Sequence, residues 1–305
     1  MRVEQLVSVI IPTYKRADTL PRAIDSVLKQ TYKNIEILVV DDNDPLSNYR
    51  RDTEDVMRKY QHFTNVIYLR HERNKNGSAA RNTGFRHSNG EYIMFLDDDD
   101  EFLPEKVGAQ VECLNRLDDS WGACYTNYVR EKNGVITVYG AEKREGRLLK
   151  EELMRNLFVH AGSNLMIRKT IVDEIEGFDE SFMRNQDIEF LSRILIKYKL
   201  AYVDVMGLVV HIHERISSKK NFEEITAEYL KKFAPIINNL SEDDRNSIAK
   251  MINLQIFRNR ITSVGERKKA VQQVLSGDLS LGLMCRYLFY LLNRKISKKA
   301  YGFKM

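Results

Sequence analysis

Cysteine is scarce: Cys113, Cys124 and Cys285 are the only three in 305 residues, and their spacing follows no metal-binding pattern. That argues against a disulfide scaffold and against a zinc site, and the three read as reduced residues of a cytoplasmic protein. Long apolar runs are missing as well, since no stretch reaches the roughly 18–20 residues that a membrane span requires. The nearest, LSLGLMCRYLFYLL at 279–292, is shorter and carries Arg286. The apolar run before Pro12 is too short for the core of a secretory signal and reads as a strand. No GxGxxG or GxxxxGK[ST] accompanies the strand-like runs, which disfavours a dinucleotide or P-loop site. Acids are absent from residues 279–305, which hold six basic residues; the whole chain is +5, so the rest sums to −1. The basic character therefore belongs to the tail and to whatever the tail meets.

What is present describes a globular chain with a real core: 43% of residues are hydrophobic, 30% charged and 10% aromatic. VSVIIP (7–12) and IEILVV (35–40) are short Val- and Ile-rich runs, the mark of strands buried on both faces. Between them Leu20, Ala23, Ile24, Val27 and Leu28 fall on one helix face, with Asp18 or Thr19 as N-cap and Pro21 in the first turn. NVIYLRH (65–71) and EYIMFLD (91–97) read as further strands, separated by a helix over 78–88. This alternation predicts a mainly parallel sheet flanked by helices. Residues 122–213 read as mixed, with strands at 122–129, 164–168 and 200–212 and a helix over 187–198. From 222 onward the spacing predicts helices, one of them starting at Ser241 before Glu242, Asp243 and Asp244.

Ligands of open α/β sheets bind outside the carboxyl ends of the strands. Three polar clusters fall at such ends: Pro12 to Arg16, Asp41 to Asp44, and Asp97 to Asp100. Each alone reads equally as a turn; together they converge on one crevice. Closely spaced acids such as Asp97 and Asp99 offer the hard oxygen ligands that suit Mg²⁺ or Mn²⁺. A metal held by acids with no phosphate-cradling loop points to a nucleotide-activated donor whose diphosphate the metal holds.

The residues also carry a resemblance. VSVIIPTYKRADTLPRAIDSVLKQTYKNIEILVVDDND, NGSAARNTGF, GEYIMFLDDDD and NQDIEFLSR resemble, in order and over about 6–106 and 161–193, the family 2 glycosyltransferases of GT-A fold. The resemblance implies a GT-A domain over 1–220, with a nucleotide-binding half at about 1–105 and an acceptor half at about 106–220; 221–305 is an uncovered helical region. It implies that Pro12, Tyr14 and Asp42 hold the base of a UDP-sugar and that Arg16 and Arg81 lie near the nucleotide. In its DxD motif, Asp97 and Asp98 face the donor and Asp99 binds the metal, with Asp97 helping. His213 matches a position near the diphosphate that also serves as a metal ligand. Asp187 matches the catalytic base, although Gln186 stands where the family usually has Glu. Asp100 is left to begin the turn toward Pro104.

The function so implied is metal-dependent, inverting transfer from a UDP-sugar to a hydroxyl of a glycan or lipid-linked acceptor, in surface polysaccharide synthesis. The alternatives are a catalytically degenerate nucleotide-sugar-binding scaffold and a Mg²⁺-dependent phosphotransferase. For 279–305 the readings are a helix packed on the domain, or a basic amphipathic helix on the inner face of the cytoplasmic membrane; the latter is the expectation. No nucleic-acid partner is expected, because the basic residues lack a recognition fold.

Overall fold

A computed structural model describes residues 4–212, 222–263, 265–277 and 279–305. The chain divides into two compact units, one of residues 1–148 with 159–212 and one of residues 149–158 with 213–305.

The first unit is built on a twisted sheet. Strands β1 (Val7–Thr13), β2 (Ile35–Asp41), β3 (Val66–Arg70) and β4 (Tyr92–Phe95) pair in parallel in the order β4-β1-β2-β3. The connecting helices are α1 (Leu20–Leu28), α2 (Asn48–Arg58) and α3 (Gly77–Arg86). Every residue of β2 is buried, and only Pro12 of β1 is partly open. This is why both strands read as unbroken apolar runs rather than alternating ones. Beyond β4 come β5 (Glu101–Phe102), α4 (Lys106–Arg116), β6 (Trp121–Lys132) and β7 (Val135–Gly140). After residue 158 follow α6 (Ala161–Asn164), β8 (Met166–Arg168), α7 (Lys169–Glu174), α8 (Gln186–Lys197) and β9 (Lys199–His211). The antiparallel strand β8 joins β4 to β6, so the parallel half and the mixed half form one sheet. β9 runs parallel to β6 and antiparallel to β5, which draws the chain after β4 back across the sheet.

Close packing of α3 on β1 and β2 rests on a glycine. A Cβ at Gly84 would stand 2.4 Å from Ile10 Cγ2 and 3.2 Å from Val40 Cγ2. The helix therefore lies closer to the sheet than any side chain at 84 allows, and this fixes the height of Arg81, one turn earlier, at the strand ends.

The second unit consists of α5 (Leu149–Leu153), α9 (Phe222–Ile237), α10 (Glu242–Thr262), α11 (Arg267–Leu275) and α12 (Leu281–Ser297). Residues 149–158 group with these helices. The Tyr229 hydroxyl donates to the Leu153 carbonyl at 2.9 Å, Gln255 Nε2 donates to Met154 O at 2.9 Å, and Asn156 exchanges two hydrogen bonds of 2.8 Å with the Phe303 backbone. Ser241 caps α10, accepting from Asp244 N at 3.2 Å, with Glu242, Asp243 and Asp244 in the first turn where the helix dipole favours acids.

Candidate active site

The turn after β4 gathers most of the expected residues. Leu96 N still donates to Ile10 O at 3.0 Å, continuing the ladder, and then Asp100 N donates to Asp97 O at 3.0 Å and closes a tight turn. The turn aims the four aspartates differently. Asp98 points inward to the end of β1, where Tyr14 N donates to it at 3.4 Å and Arg16 lies 3.3 Å away. Burial pushes its carboxyl up to about 7, against the pull of the Thr13 hydroxyl and Arg16. Asp97 pairs with Arg81 of α3 at 2.5 Å. Asp99 pairs with Arg16, and its backbone carbonyl accepts from Arg22 Nη2 at 2.8 Å.

Asp100 departs from the turn-starting role read in the sequence. It ends the turn, is buried, and lies 3.3 Å from His160 Nε2. One oxygen each of Asp97, Asp99 and Asp100 falls within a span of 4.8 Å. Oxygens that share a divalent cation at about 2.0–2.6 Å lie no more than about 5 Å apart, so Mg²⁺ or Mn²⁺ fits this hard donor set. The set holds the expected Asp97 and Asp99 and adds Asp100. His213, the third expected ligand, lies outside the described residues.

The neighbouring strand ends complete one side of the crevice. Pro12 sits half-buried at the end of β1 opposite Val40, and Tyr14 is exposed. Lys15 takes a left-handed backbone, φ 58°, and its N–H donates to Asn43 Oδ1 at 2.9 Å, which bends the chain beside Tyr14 and sets Lys15 Nζ 4.9 Å from the centre of the Tyr14 ring. Asp42 is buried and fully engaged. His71 Nδ1 and Lys75 N lie 2.7 and 2.8 Å from one oxygen, and Asn74 Nδ2 and Asn76 N lie 2.9 and 3.0 Å from the other. Four donors match the roughly four lone-pair sites of a carboxylate. Asp42 therefore shapes the loop 71–76, which leads into α3, and a base N–H would have to share or displace one of these donors.

Asp187 is the second residue of α8, half-buried in the first turn, where a carboxylate is favoured. Its neighbours tie α8 to the elements that carry the acid cluster. Gln186 Oε1 accepts from the Ser78 hydroxyl in the first turn of α3, the helix that carries Arg81. The short helix α6 packs against both β4 and α8, and Ser163 Oγ of α6 accepts from Asp97 N at 3.1 Å. The structure thus links Tyr14, Arg16, Arg81, Asp97, Asp98 and Asp99 directly and sets Asp187 on an element tied to them.

Four residues near the site carried no sequence signal: Arg22, His160, Ser163 and Lys106. Lys106 is wholly buried on α4, and its Nζ donates to Thr126 Oγ1 at 3.1 Å and to Asn164 Oδ1 at 2.6 Å. Burial pushes its ammonium down to about 7. Asn164 adjoins Ser163, so this network holds α6 in place beneath Asp97.

The model of the family described as Glycosyl transferase family 2 matches residues 8–176. An uncharacterized glycosyltransferase of Rickettsia prowazekii is 32% identical over 244 residues, 74% of this chain and 72% of that one. The UDP-Glc:alpha-D-GlcNAc-diphosphoundecaprenol beta-1,3-glucosyltransferase of Escherichia coli is 35% identical over 133 residues, 44% of this chain and 50% of that one. In two further curated relatives the match spans 31% and 35% of the longer chain. Among solved structures, Staphylococcus aureus TarS 1–349 in complex with UDP-GlcNAc superposes with a TM-score of 0.67 at 19% identity, covering 96% of this chain and 88% of that one. That likeness is one of fold, the GT-A arrangement of sheet and helices with a helical C-terminal region. Because the family model covers more than half of the chain and the Rickettsia relative aligns with nearly three quarters of it, the chain belongs to glycosyltransferase family 2.

Proposed function

We propose that this glycosyltransferase moves a sugar, with inversion at the anomeric carbon, from a UDP-sugar to a hydroxyl of a glycan or lipid-linked saccharide, using Mn²⁺ or Mg²⁺. The observation that carries the reading is the convergence of Asp97, Asp99 and Asp100 within 4.8 Å at the carboxyl end of β4, where open α/β sheets bind ligands. The uridine donor is supported by the UDP-GlcNAc bound to TarS and by the UDP-Glc in the name of the Escherichia coli relative. The acceptor class is supported by that relative's diphosphoundecaprenol-linked substrate and by the poly(ribitol-phosphate) named for Staphylococcus aureus TarP, 32% identical over 205 residues. Synthesis of a surface polysaccharide on the cytoplasmic side of the membrane is the setting that such acceptors support.

In this reading Tyr14 offers its exposed ring to the base beside Pro12 and Asp42, while Arg16 and Arg81 supply positive charge along the diphosphate. Asp97, Asp99 and Asp100 would hold a divalent cation, which would supply positive charge against that building on the departing diphosphate. Asp187 takes the proton from the acceptor hydroxyl as that oxygen attacks the anomeric carbon opposite the nucleotide. The carbon–oxygen bond to the diphosphate breaks as the new glycosidic bond forms, so one base suffices and the centre inverts. A thermal-shift screen with Mn²⁺ and UDP-glucose, UDP-galactose and their N-acetyl forms tests the donor, followed by product analysis with the donor that stabilises. Stabilisation by none of the four, nor by UDP, would remove the uridine donor from the reading.

A further inference from the structure

The basic tail is not used by the chemistry above, and its structure gives it a face. Helix α12 buries Met284, Tyr287 and Tyr290 on one side. On the other side it exposes Leu281 (67%), Leu288 (36%), Phe289 (72%), Leu292 (54%) and Ile296 (72%), together with Cys285. At 3.6 residues per turn these six fall within an arc of about 100° that runs the length of the helix. Among the described residues nothing covers this stripe, and an unbroken apolar stripe of this width on a water-facing helix marks an interaction face.

The charge around the stripe says which partner. Lys295 borders it on one side and Arg286 on the other, both exposed, and Lys298, Lys299 and Lys304 lie exposed at the carboxyl end. No acid occurs anywhere in 279–305. A second copy of the chain would set this acid-free, positively charged face against its own like, whereas an anionic surface complements it. An apolar stripe edged by Lys and Arg is the geometry of a helix lying in the interface of a negatively charged bilayer, with its apolar side chains in the acyl boundary and its cations at the headgroups. Among the described residues no helix is long and apolar enough to cross a membrane, so the stripe lies on the surface rather than spanning it.

We infer that α12 is a docking face for an anionic lipid surface. Phe289, Leu292 and Ile296 insert, while Arg286, Lys295 and the cations after the helix engage lipid phosphates. The inference does not rest on the proposed sugar transfer, and its test contains neither donor nor acceptor.

The test is cosedimentation of the full chain with vesicles of phosphatidylcholine alone and of phosphatidylcholine with phosphatidylglycerol. Binding is expected to be at least about tenfold stronger to the anionic vesicles at low salt and to weaken as salt screens it. F289S/I296S should lose at least about tenfold of that binding, because inserted apolar area drives it. K295E/K299E should lose the preference for anionic lipid. The substituted side chains are exposed, so circular dichroism and Tm should stay at the parent values, which separates loss of docking from loss of fold. Equal binding to neutral vesicles, or undiminished binding by F289S/I296S, would overturn the inference. So would sedimentation equilibrium that shows a dimer broken by F289S/I296S with no vesicle binding, since the stripe would then belong to a second copy.

Discussion

His160 Nε2 lies 3.3 Å from Asp100 Oδ2, and His160 reaches it from a left-handed backbone, φ 57° and ψ 58°. Roughly 1–2 kcal/mol is the usual cost of that conformation for a residue with a Cβ. The strain delivers the imidazole to a carboxylate of the acid cluster, which assigns His160 the role of orienting Asp100.

The variant that separates orientation from fold is His160→Gly. Glycine relieves the left-handed backbone, so Tm should hold or rise, while the loss of the ring leaves Asp100 unsteadied. Calorimetric titration of Mn²⁺ into the UDP-saturated protein should show affinity lowered by about 10–100-fold, the range for losing a partner of a metal ligand. Asp100→Asn should move in the same direction. If both variants bind Mn²⁺ as the parent does, Asp100 serves the turn and nothing more.

Asp187→Asn keeps the volume of the side chain and its place in the first turn of α8, but it cannot accept a proton. Transfer should fall by about 10²–10⁴-fold, the span of general-base contributions. UDP binding in the presence of Mn²⁺ should not change, because Asp187 sits on α8 and the described partners of Asp97, Asp98 and Asp100 are Arg81, Ser163, Tyr14, Arg16 and His160. Unimpaired turnover by this variant would remove Asp187 from the mechanism.

The strand ends were legible in the sequence because a strand buried on both faces leaves no doubt where its apolar run stops. Asp42 and Asp97 to Asp100 stand at those stops. Which of four adjacent aspartates turn inward was not legible, since the turn geometry around Asp97 and Asp100 decides it. Asp98 goes to the β1 end and Asp100 to His160, and neither partner is near in sequence. His160 itself is one histidine in a loop, with no pattern around it. Lys106 carries no signal in the sequence; its burial depends on Thr126 and Asn164 arriving from two other segments. Leu153 and Met154 would read as core whichever unit buried them, so their grouping with the C-terminal helices shows only in three dimensions.

Gly84→Ala tests whether the seating of α3 sets the site. The added Cβ would meet Ile10 Cγ2 at 2.4 Å, so the helix must lift from β1. Overpacking of this kind costs about 1–3 kcal/mol, which should appear as a Tm lower by several degrees. Arg81 rides on the same helix and pairs with Asp97, so UDP affinity should fall as well. A destabilised variant with parental UDP affinity would uncouple the helix seat from the nucleotide site.

Lys106 gives the fold a pH dependence with a definite sign. Burial lowers its folded-state pKa to about 7 from the ordinary 10.5. Between those values the unfolded chain holds the proton that the folded chain has released, so this group makes stability rise with pH. Its contribution is fully present above 10.5 and is lost as pH falls to about 7. Lys106→Met removes that titration and the hydrogen bonds that Nζ donates to Asn164 Oδ1 and Thr126 Oγ1, each worth about 0.5–1.5 kcal/mol, while Asn164 Oδ1 keeps the Thr126 hydroxyl as a donor at 2.7 Å. The parent should therefore exceed Lys106→Met in Tm at pH 9.5 by more than it does at pH 7. Denaturant melts across that range measure the gap directly. A gap that stays constant would mean that Lys106 keeps one charge state throughout, with its three acceptors, Thr126 Oγ1, Asn164 O and Asn164 Oδ1, holding the ammonium protonated against the cost of burial.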